Sequence, residues 1–253
     1  MTPDQRFKEI VKLFRACVGR RGLYDVFTDF CETYALAMRN ATSKMIPGDA
    51  GFDEREEDFQ RIASRYTEQD MTRFKEAFAH VVQIMEDEPC DVLGRVFMEL
   101  EISDKTMGQF YTPYDVAVLI AEMNVSGLVQ ALEAQDHVTV HEPACGAGAM
   151  LVAITQALRR RGINYQHRMH VRCEDLALTA TYMAYIHLTL LGVPAMVARR
   201  DTLTRETFFE WPTLAHVLGG WRWRLLARED AAEPEPIYDT DVSSWDDVFS
   251  EVA

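Results

Sequence analysis

The fold is decided by residues 137–150, HVTVHEPACGAGAM. Alternating, β-branched residues predict a strand at 137–141, and GAMLVAITQALRRRG predicts a helix that ends at Gly162. Between them, a turn with Gly146 and Gly148 lets the backbone approach a ligand closely, and the amino end of the helix favours a carboxylate. The stretch indicates a ligand site at this turn, with a purely structural tight turn as the alternative.

The same alternation continues downstream. MHVRCED at 169–175 predicts a second strand, ALTATYMAYIHLTLLG predicts a helix stopped by Gly192, and PAMVARRDTL contains a third strand. Strands that alternate with helices form parallel sheets with right-handed crossovers. The sequence therefore predicts an α/β fold.

Upstream of this region the chain predicts helices only. The helical spacing of Phe7, Ile10 and Phe14 indicates one core-facing stripe, and similar stripes follow at about 23–41 and 51–66. A capping-box pattern at Thr67 begins another helix, which ends at 87–89. Further on, Thr112 is predicted to cap a helix over about 113–123.

Two motifs carry a resemblance to a known family. Glu142–Gly148 reads E-P-A-C-G-A-G, and about thirty residues upstream 108–113 reads G-Q-F-Y-T-P. In this order and spacing the chain resembles adenine-N6 DNA methyltransferases, particularly the methylation subunits of type I restriction–modification systems. Residues 91–100 also resemble the family's lead-in helix, and the likeness covers about 90–204. It implies a shortened, Rossmann-like α/β core that binds S-adenosylmethionine, preceded by the helical region.

The resemblance also implies which residues hold the cofactor. Phe110, Tyr111 and Thr112 would close over its methionine part, and Thr112 would meet the carboxylate. Glu174 would accept hydrogen bonds from the ribose hydroxyls, and Asp201 from the adenine amino group. For the acids at the end of the second strand, the alternative to a cofactor role is that Asp175 caps the following helix. For Asp201, the alternative is an ordinary solvated acid in a loop. The main cofactor loop would be formed by Glu142, Pro143, Ala144, Gly146 and Gly148.

The chain departs from the family at the catalytic loop. The family transfers its methyl group at a [DN]-P-P-[YFW] loop, and this tetrapeptide is absent from the sequence. The nearest proline is in Trp211-Pro212-Thr213, close behind the third strand, and a substitute loop there is the rival interpretation. Residues 213–227 are long enough for only one strand or one helix, so we expect one edge of the sheet to stay unpaired. Tryptophans 211, 221 and 223 are suited to cover this edge or to bind a partner. No catalytic residue is assigned.

Charge and composition indicate which partners and which cellular compartment to expect. The net charge is −14, and nine acidic residues without Lys or Arg lie in 229–253, which leaves −5 for 1–228. We therefore expect DNA contact only weakly or through partners, with 199, 200, 222 and 224 as candidate basic-patch arginines or ordinary surface residues. Five scattered cysteines, no secretory signal and no long apolar run predict a cytoplasmic protein without a membrane span, and isolated His167 and His170 predict no metal site.

These observations predict three parts: a helical region at 1–107, an S-adenosylmethionine-binding domain at 108–228 and a mobile acidic tail at 229–253. The predicted function is that of a cofactor-binding DNA adenine-N6 methyltransferase family member that needs partner subunits for DNA methylation. The alternative is a catalytically inactive relative that regulates, or binds to, a restriction–modification or DNA-processing complex. Whether the chain is itself an enzyme stays open at this point.

Overall fold

The structure is a computed structural model, which describes residues 1–19, 21–49, 51–100 and 111–231, without the side chains of 229–231. The predicted cofactor residue Phe110 and the predicted tail beyond 231 lie outside the described residues. The chain divides into two units, Met1–Trp221 and Arg222–Ala253. The domain boundaries at 107 and 228 stay predictions.

The elements in chain order are α1 Pro3–Ala16, α2 Leu23–Ser43, α3 Phe52–Ala63, α4 Glu68–Asp87, α5 Val92–Glu99, α6 Tyr114–Ala134, β1 Val138–Glu142, α7 Ala149–Arg160, α8 Tyr165–Arg168, β2 Met169–Asp175, α9 Leu178–Leu190, β3 Ala195–Arg200, β4 Thr207–Pro212, α10 Leu214–Leu218 and α11 Trp221–Ala231. The predicted α/β fold with a helical N-terminal region is confirmed.

The N-terminal helices pack through aromatic edges. Phe14 lies against Phe30 with ring centroids 4.8 Å apart and against Phe27 at 5.7 Å. All three rings are buried, which confirms the predicted core stripes. Helix α2 packs along α9, where Thr28 and Thr179 are joined by a 3.2 Å hydrogen bond, so the helical region and the sheet share one core.

The sheet has four strands in the order β1-β2-β3-β4. Strands β1, β2 and β3 are parallel, as predicted, and β4 is antiparallel to β3. The sequence does not predict β4, and the structure places Trp211 and Pro212 in this strand rather than in a loop. Trp211 is a buried strand residue that packs on Tyr182 and Tyr185 of α9, and Pro212 pairs with Met196 at the start of β3.

Two helix predictions need correction. Pro113, not Thr112, is the N-cap of α6, and the helix continues to Ala134 because the apolar pattern persists past 123. Residues 213–227 form two helices rather than one element, since the chain turns at Gly219 and Gly220, the latter with φ +62°. Trp221 is buried against His137 and His170, so its ring packs inside the compact unit.

Helix α6 also bears on the membrane prediction. Among the described residues it is the one helix that is long and apolar enough, by length and composition, to cross a membrane, contrary to the expectation that the sequence has no such run. Ala117, Ala121 and Val125 bury one face of α6, which packs extensively on α7. The opposite stripe at helical spacing is exposed and apolar, formed by Val116, Leu119, Ile120 and Met123.

Candidate functional site

Loops from the ends of three parallel strands meet at the carboxyl edge of the sheet. The hydroxyl of Thr202, which follows β3, lies 2.8 Å from the carbonyl oxygen of Pro143 and 3.0 Å from Oε1 of Glu174. These contacts connect the loop after β1 with the ends of β2 and β3. In open α/β sheets, ligands bind at this carboxyl edge.

The loop after β1 depends on its two glycines. Gly146 has φ +54° and Gly148 has φ +87°, in the left-handed region that side-chain-bearing residues rarely adopt. A Cβ at Gly146 would lie 3.0 Å from Cδ1 of Tyr111, and one at Gly148 would lie 3.4 Å from the Cα of Ala184. The turn is closed by a hydrogen bond from the Gly148 N–H to the Cys145 carbonyl. The glycines therefore permit close approach as well as an unusual backbone.

Tyr111 lies against this loop. Its ring packs edge-on against Phe97 of α5, with centroids 5.0 Å apart, and contacts Gly146. Burial, with a contribution from nearby Asp175, raises the pKa of the Tyr111 hydroxyl. Among the described residues this buried hydroxyl has no hydrogen-bond partner. A buried, unpartnered hydroxyl is costly, and a bound ligand can satisfy it.

Thr112 is placed differently from Tyr111. Its exposed side chain lines a cavity of about 410 Å³ between α5 and the start of α6, which Tyr111 also lines, together with Cys90, Gly94 and Met98. The residues that wall this cavity do not include those of the glycine loop. The structure thus brings Tyr111, but not Thr112, against Gly146.

The two acids at the end of β2 point to opposite faces of the sheet. Glu174 is nearly buried, contacts Thr202, and lies 3.4 Å from Nη1 of Arg200. Asp175 instead accepts a 2.9 Å hydrogen bond from the Gly146 N–H and a 2.8 Å bond from Ala177. Consecutive strand residues face opposite ways, so a single position separates the two roles. Of the two carboxylates, that of Asp175 bonds the glycine loop, whereas the assignment of Glu174 to the ribose hydroxyls stays a prediction.

Asp201 begins the loop after β3. Its Oδ1 accepts hydrogen bonds from the backbone N–H groups of Thr204, at 3.1 Å, and Leu203, at 2.9 Å. These bonds, the one from Thr204 first, lower the pKa of the Asp201 carboxyl. The carboxylate therefore shapes its own loop and stays ionised. The loop holds Leu203 almost fully exposed, at 95%, and Leu176 after β2 is exposed to 53%.

The remaining loop residues surround the start of α7. Glu142 is half-buried and accepts a 3.4 Å hydrogen bond from the Ala144 N–H, while the side chains of Pro143 and Ala144 are exposed. The N-cap of α7 is Gly148, which has no side chain to cap the first helical N–H groups. This amino end is a suitable site for a carboxylate.

Cys145 does not add a nucleophile to the loop. A hydrogen bond with Cys173, together with burial, raises the pKa of its thiol well above the ordinary value. The five cysteines are all free. No cluster of three or more metal-binding side chains occurs among the described residues.

Trp211-Pro212-Thr213 lies at the opposite end of the sheet from the glycine loop. The Thr213 hydroxyl accepts from the N–H of Ala195, the first residue of β3, and donates to the carbonyl of Val193, two residues before the strand. Pro212 accepts a hydrogen bond from the Tyr185 hydroxyl. The rival interpretation of this segment as a substitute catalytic loop is therefore wrong in geometry, because the strand carries it away from the carboxyl edge.

Comparison with known proteins completes the description. The curated proteins include no match to this chain. A solved structure, the crystal structure of the type I restriction-modification system methyltransferase subunit from Streptococcus thermophilus, is similar at 13% sequence identity with a TM-score of 0.37, over 77% of this chain and 57% of that one. This chain thus spans less than two thirds of that subunit's length. The N-6 DNA methylase model matches residues 90–223, more than half of the chain, and the chain belongs to the N-6 DNA methylase family.

Proposed function

We propose that this chain binds S-adenosylmethionine at the carboxyl edge of its sheet. The observation that carries the proposal is the contact between Asp175 and the Gly146 N–H, which joins an acid to a glycine loop at a helix amino end. An adenosyl-amino acid presents a carboxylate, an ammonium group, two vicinal hydroxyls and an aromatic base. The three loops offer a partner for each of these groups.

The proposed arrangement follows the chemistry of each residue. The open amino end of α7 and the Tyr111 hydroxyl suit the cofactor carboxylate, while Glu142 suits the ammonium group. We propose Asp175, rather than Glu174, as the acceptor for the ribose hydroxyls, because Asp175 is joined directly to the glycine loop and each of its oxygens can accept a second hydrogen bond.

The adenine would lie between the loops after β2 and β3. Leu176 and Leu203 expose apolar surface there that a flat base can cover. The exocyclic amine would donate to Asp201, whose carboxylate the local backbone bonds keep ionised. When bound, the cofactor supplies an electrophilic methyl group, and the residues of this chain hold it in place.

We further propose that methyl transfer to adenine N6 in DNA needs a partner chain. The sequence contains no [DN]-P-P-[YFW] loop, and the nearest proline segment lies at the wrong end of the sheet. Without groups that hold the target amine, a cofactor alone does not position the reaction. The net charge of −5 for residues 1–228 also gives little attraction for phosphates, so the partner would bring most DNA contact.

The surface we propose for this partner combines the β1 edge with the exposed α6 stripe. Among the described residues β1 pairs only with β2, so its other edge is open along Val138–Glu142. A parallel strand added there would end beside the glycine loop, where an amine-holding loop is needed. The stripe residues Leu119 and Met123 are 61% and 72% exposed, and a helix next to that strand would cover them.

The enzymatic test is transfer of a tritiated methyl group to unmethylated duplex DNA. We expect no turnover by the chain alone, and turnover after adding a purified methyltransferase chain from the same genome that carries [DN]-P-P-[YFW]. The restored activity should disappear when Gly146→Val replaces the wild-type chain. Turnover by the chain alone would refute the need for a partner, and cofactor binding without turnover under either condition would favour the inactive, regulatory relative.

The partner surface has its own test. Leu119→Glu combined with Met123→Glu should abolish association with that partner in light-scattering chromatography, because charged side chains oppose burial of the stripe. Met45→Glu changes another exposed methionine, at 57%, outside the stripe and should leave association intact. Equal association by both variants would exclude the stripe as the interface.

The cytoplasm is the compartment we propose, since all five thiols are free.

A further inference from the structure

A fully buried histidine connects the glycine loop to helix α5. His187 lies on α9 with 0% exposure. Its Nδ1 is 2.8 Å from the carbonyl oxygen of Ala147, between the two loop glycines. Its Nε2 is 3.2 Å from the backbone N–H of Leu93, in the first turn of α5. One imidazole ring thus spans α5, α9 and the loop.

The partners of the ring define its protonation. A carbonyl oxygen only accepts, so Nδ1 carries the hydrogen, and a backbone N–H only donates, so Nε2 is the acceptor. The neutral Nδ1–H tautomer is the one form that satisfies both bonds. Burial lowers the pKa of His187, in keeping with a neutral ring. The charged group that faces it is Asp91, whose Oδ1 lies 3.9 Å from Nδ1 and caps α5 through Gly94.

The two elements that His187 connects are the walls of the Tyr111 slot. Tyr111 packs on one side against Phe97 of α5 and on the other against Gly146. The separation between α5 and the loop therefore sets the room for the tyrosine ring. A change at His187 would move the loop relative to α5 without removing any residue that we expect to contact the cofactor.

We propose that His187 is a positioning residue, which holds the glycine loop at the distance from α5 that cofactor binding requires. This inference rests on the proposed cofactor function, but the placement of the loop itself does not. The bond to Ala147 is the one that acts on the loop, whereas the bond to Leu93 anchors the ring to α5.

Two substitutions separate these bonds. An asparagine amide occupies roughly the place of Nδ1, so His187→Asn keeps a donor for Ala147 and loses the acceptor for Leu93. A glutamine amide reaches roughly the place of Nε2, so His187→Gln keeps an acceptor for Leu93 and loses the loop bond. Each variant loses one buried hydrogen bond, and we expect similar falls in melting temperature.

The readouts are calorimetric affinity for S-adenosylmethionine and amide hydrogen exchange of residues 143–149 in the free protein. We expect His187→Gln to weaken binding about tenfold or more and to speed exchange about tenfold, with His187→Asn within about threefold of wild type in both. Equal effects of the two variants, in step with their melting temperatures, would overturn the inference. Without any binding by the wild type, the proposed function fails, and the exchange difference still decides the role of His187.

His216→Gln serves as the matched control, because it loses an Nδ1 bond to His170 as His187→Gln loses an Nδ1 bond to Ala147. His216 is a buried histidine with a ring partner, His170, at 2.9 Å, but it lies at the other end of the sheet. Its substitution should lower the melting temperature without faster exchange at 143–149. Faster exchange there in this control would show that any buried histidine affects the loop, which would also overturn the inference.

Discussion

The carboxyl end of the sheet combines a glycine loop with an unpartnered buried hydroxyl and exposed apolar side chains, whereas at the amino end Thr213 and His216 bond within the protein. The carboxyl end has left-handed Gly146 and Gly148, a Tyr111 hydroxyl without a partner among the described residues, and Leu203 exposed to 95%. At the amino end the buried Thr213 hydroxyl bonds two backbone groups, and His216 bonds a neighbouring ring.

This difference separates binding from stability along a single sheet. Parallel strands place loops and helix amino ends at their carboxyl edge, which is where ligands bind in such folds. Saturated polar groups at the other edge contribute to folding and have little to offer a ligand. Changes at the carboxyl end should therefore act mainly on binding, and changes at the amino end mainly on stability.

The largest effect is expected from Gly146→Val. The residue has φ +54°, and the Cβ of a side chain there would lie only 3.0 Å from Cδ1 of the Tyr111 ring. The left-handed backbone costs a β-branched residue about 1–2 kcal/mol, and the ring has to move as well. Isothermal titration with S-adenosylmethionine should show no binding by this variant and clear binding by the wild type.

The control for backbone strain is Gly162→Val. Gly162 has φ +71°, but no atom lies within 4 Å of a Cβ placed there. It should lose stability by about 1–2 kcal/mol, from the same left-handed backbone, and keep the wild-type affinity. Loss of binding in both variants would mean that general destabilisation, rather than the glycine loop, explains the result.

The next largest effect distinguishes the two acids of β2. Asp175→Ala should weaken the cofactor affinity about 10- to 100-fold, because charge-assisted hydrogen bonds are worth about 1.5–3 kcal/mol. Glu174→Gln should change it by less than about threefold, since its carboxylate bonds Thr202 and pairs with Arg200. Isothermal titration of both variants with S-adenosylmethionine measures these losses. A larger loss of affinity in Glu174→Gln than in Asp175→Ala would assign Glu174 to the ribose hydroxyls.

These two acids also show how far the sequence could predict the structure. Periodicity and turn residues located α1–α4, β1, α7, β2, α9 and β3, because each has a strong apolar pattern and a glycine, proline or polar boundary, whereas α5 was indicated by the family resemblance alone. Strand β4 was missed because Thr207–Pro212 is short, contains a proline and alternates weakly. Its pairing depends on tertiary contacts of Trp211 with α9.

The sequence could locate the loops of the site, but not the direction in which individual side chains of those loops point. The glycine loop could be predicted because two glycines between a strand and a helix have few structural uses. The choice between Glu174 and Asp175 could not, since a shift of one residue in the strand exchanges the faces. Cys173 is buried, and the alternation along the strand places Asp175 on the same face as Cys173 and Glu174 on the other. No sequence signal indicated His187, whose partners are backbone groups far apart in the chain.

A smaller effect is expected at Asp201. Asp201→Asn keeps a side-chain oxygen for the N–H groups of Leu203 and Thr204, so the loop should hold its shape. It removes the negative charge that we expect to receive the adenine amine, and affinity should fall about three- to tenfold. Binding of S-adenosylmethionine and of an analogue without the amine should converge in this variant. An unchanged preference for the amine would assign Asp201 to the loop alone.

The smallest effect on binding is expected at the amino end, where the same experiments should report stability instead. Burial lowers the pKa of His216 to about 4, from an ordinary value of 6.5. Between these values the unfolded chain binds more protons than the folded protein, so stability is full above about pH 6.5 and falls as the pH drops towards 4. His187 titrates in the same direction, so replacing one histidine removes only part of this dependence.

His216→Gln, whose amide reaches the place of Nε2 rather than Nδ1, should therefore have a lower melting temperature at pH 7, through the lost contact with His170, but a smaller further decrease between pH 7 and pH 5 than the wild type. Its affinity for S-adenosylmethionine at pH 7 should stay within about twofold of the wild type, because the ring lies at the end of the sheet away from the glycine loop. Thermal melts across this pH range, paired with titration at pH 7, give both results. A steeper acid dependence in the variant would contradict the buried neutral state of His216, and a tenfold loss of affinity would mean that the two ends of the sheet are not energetically separate.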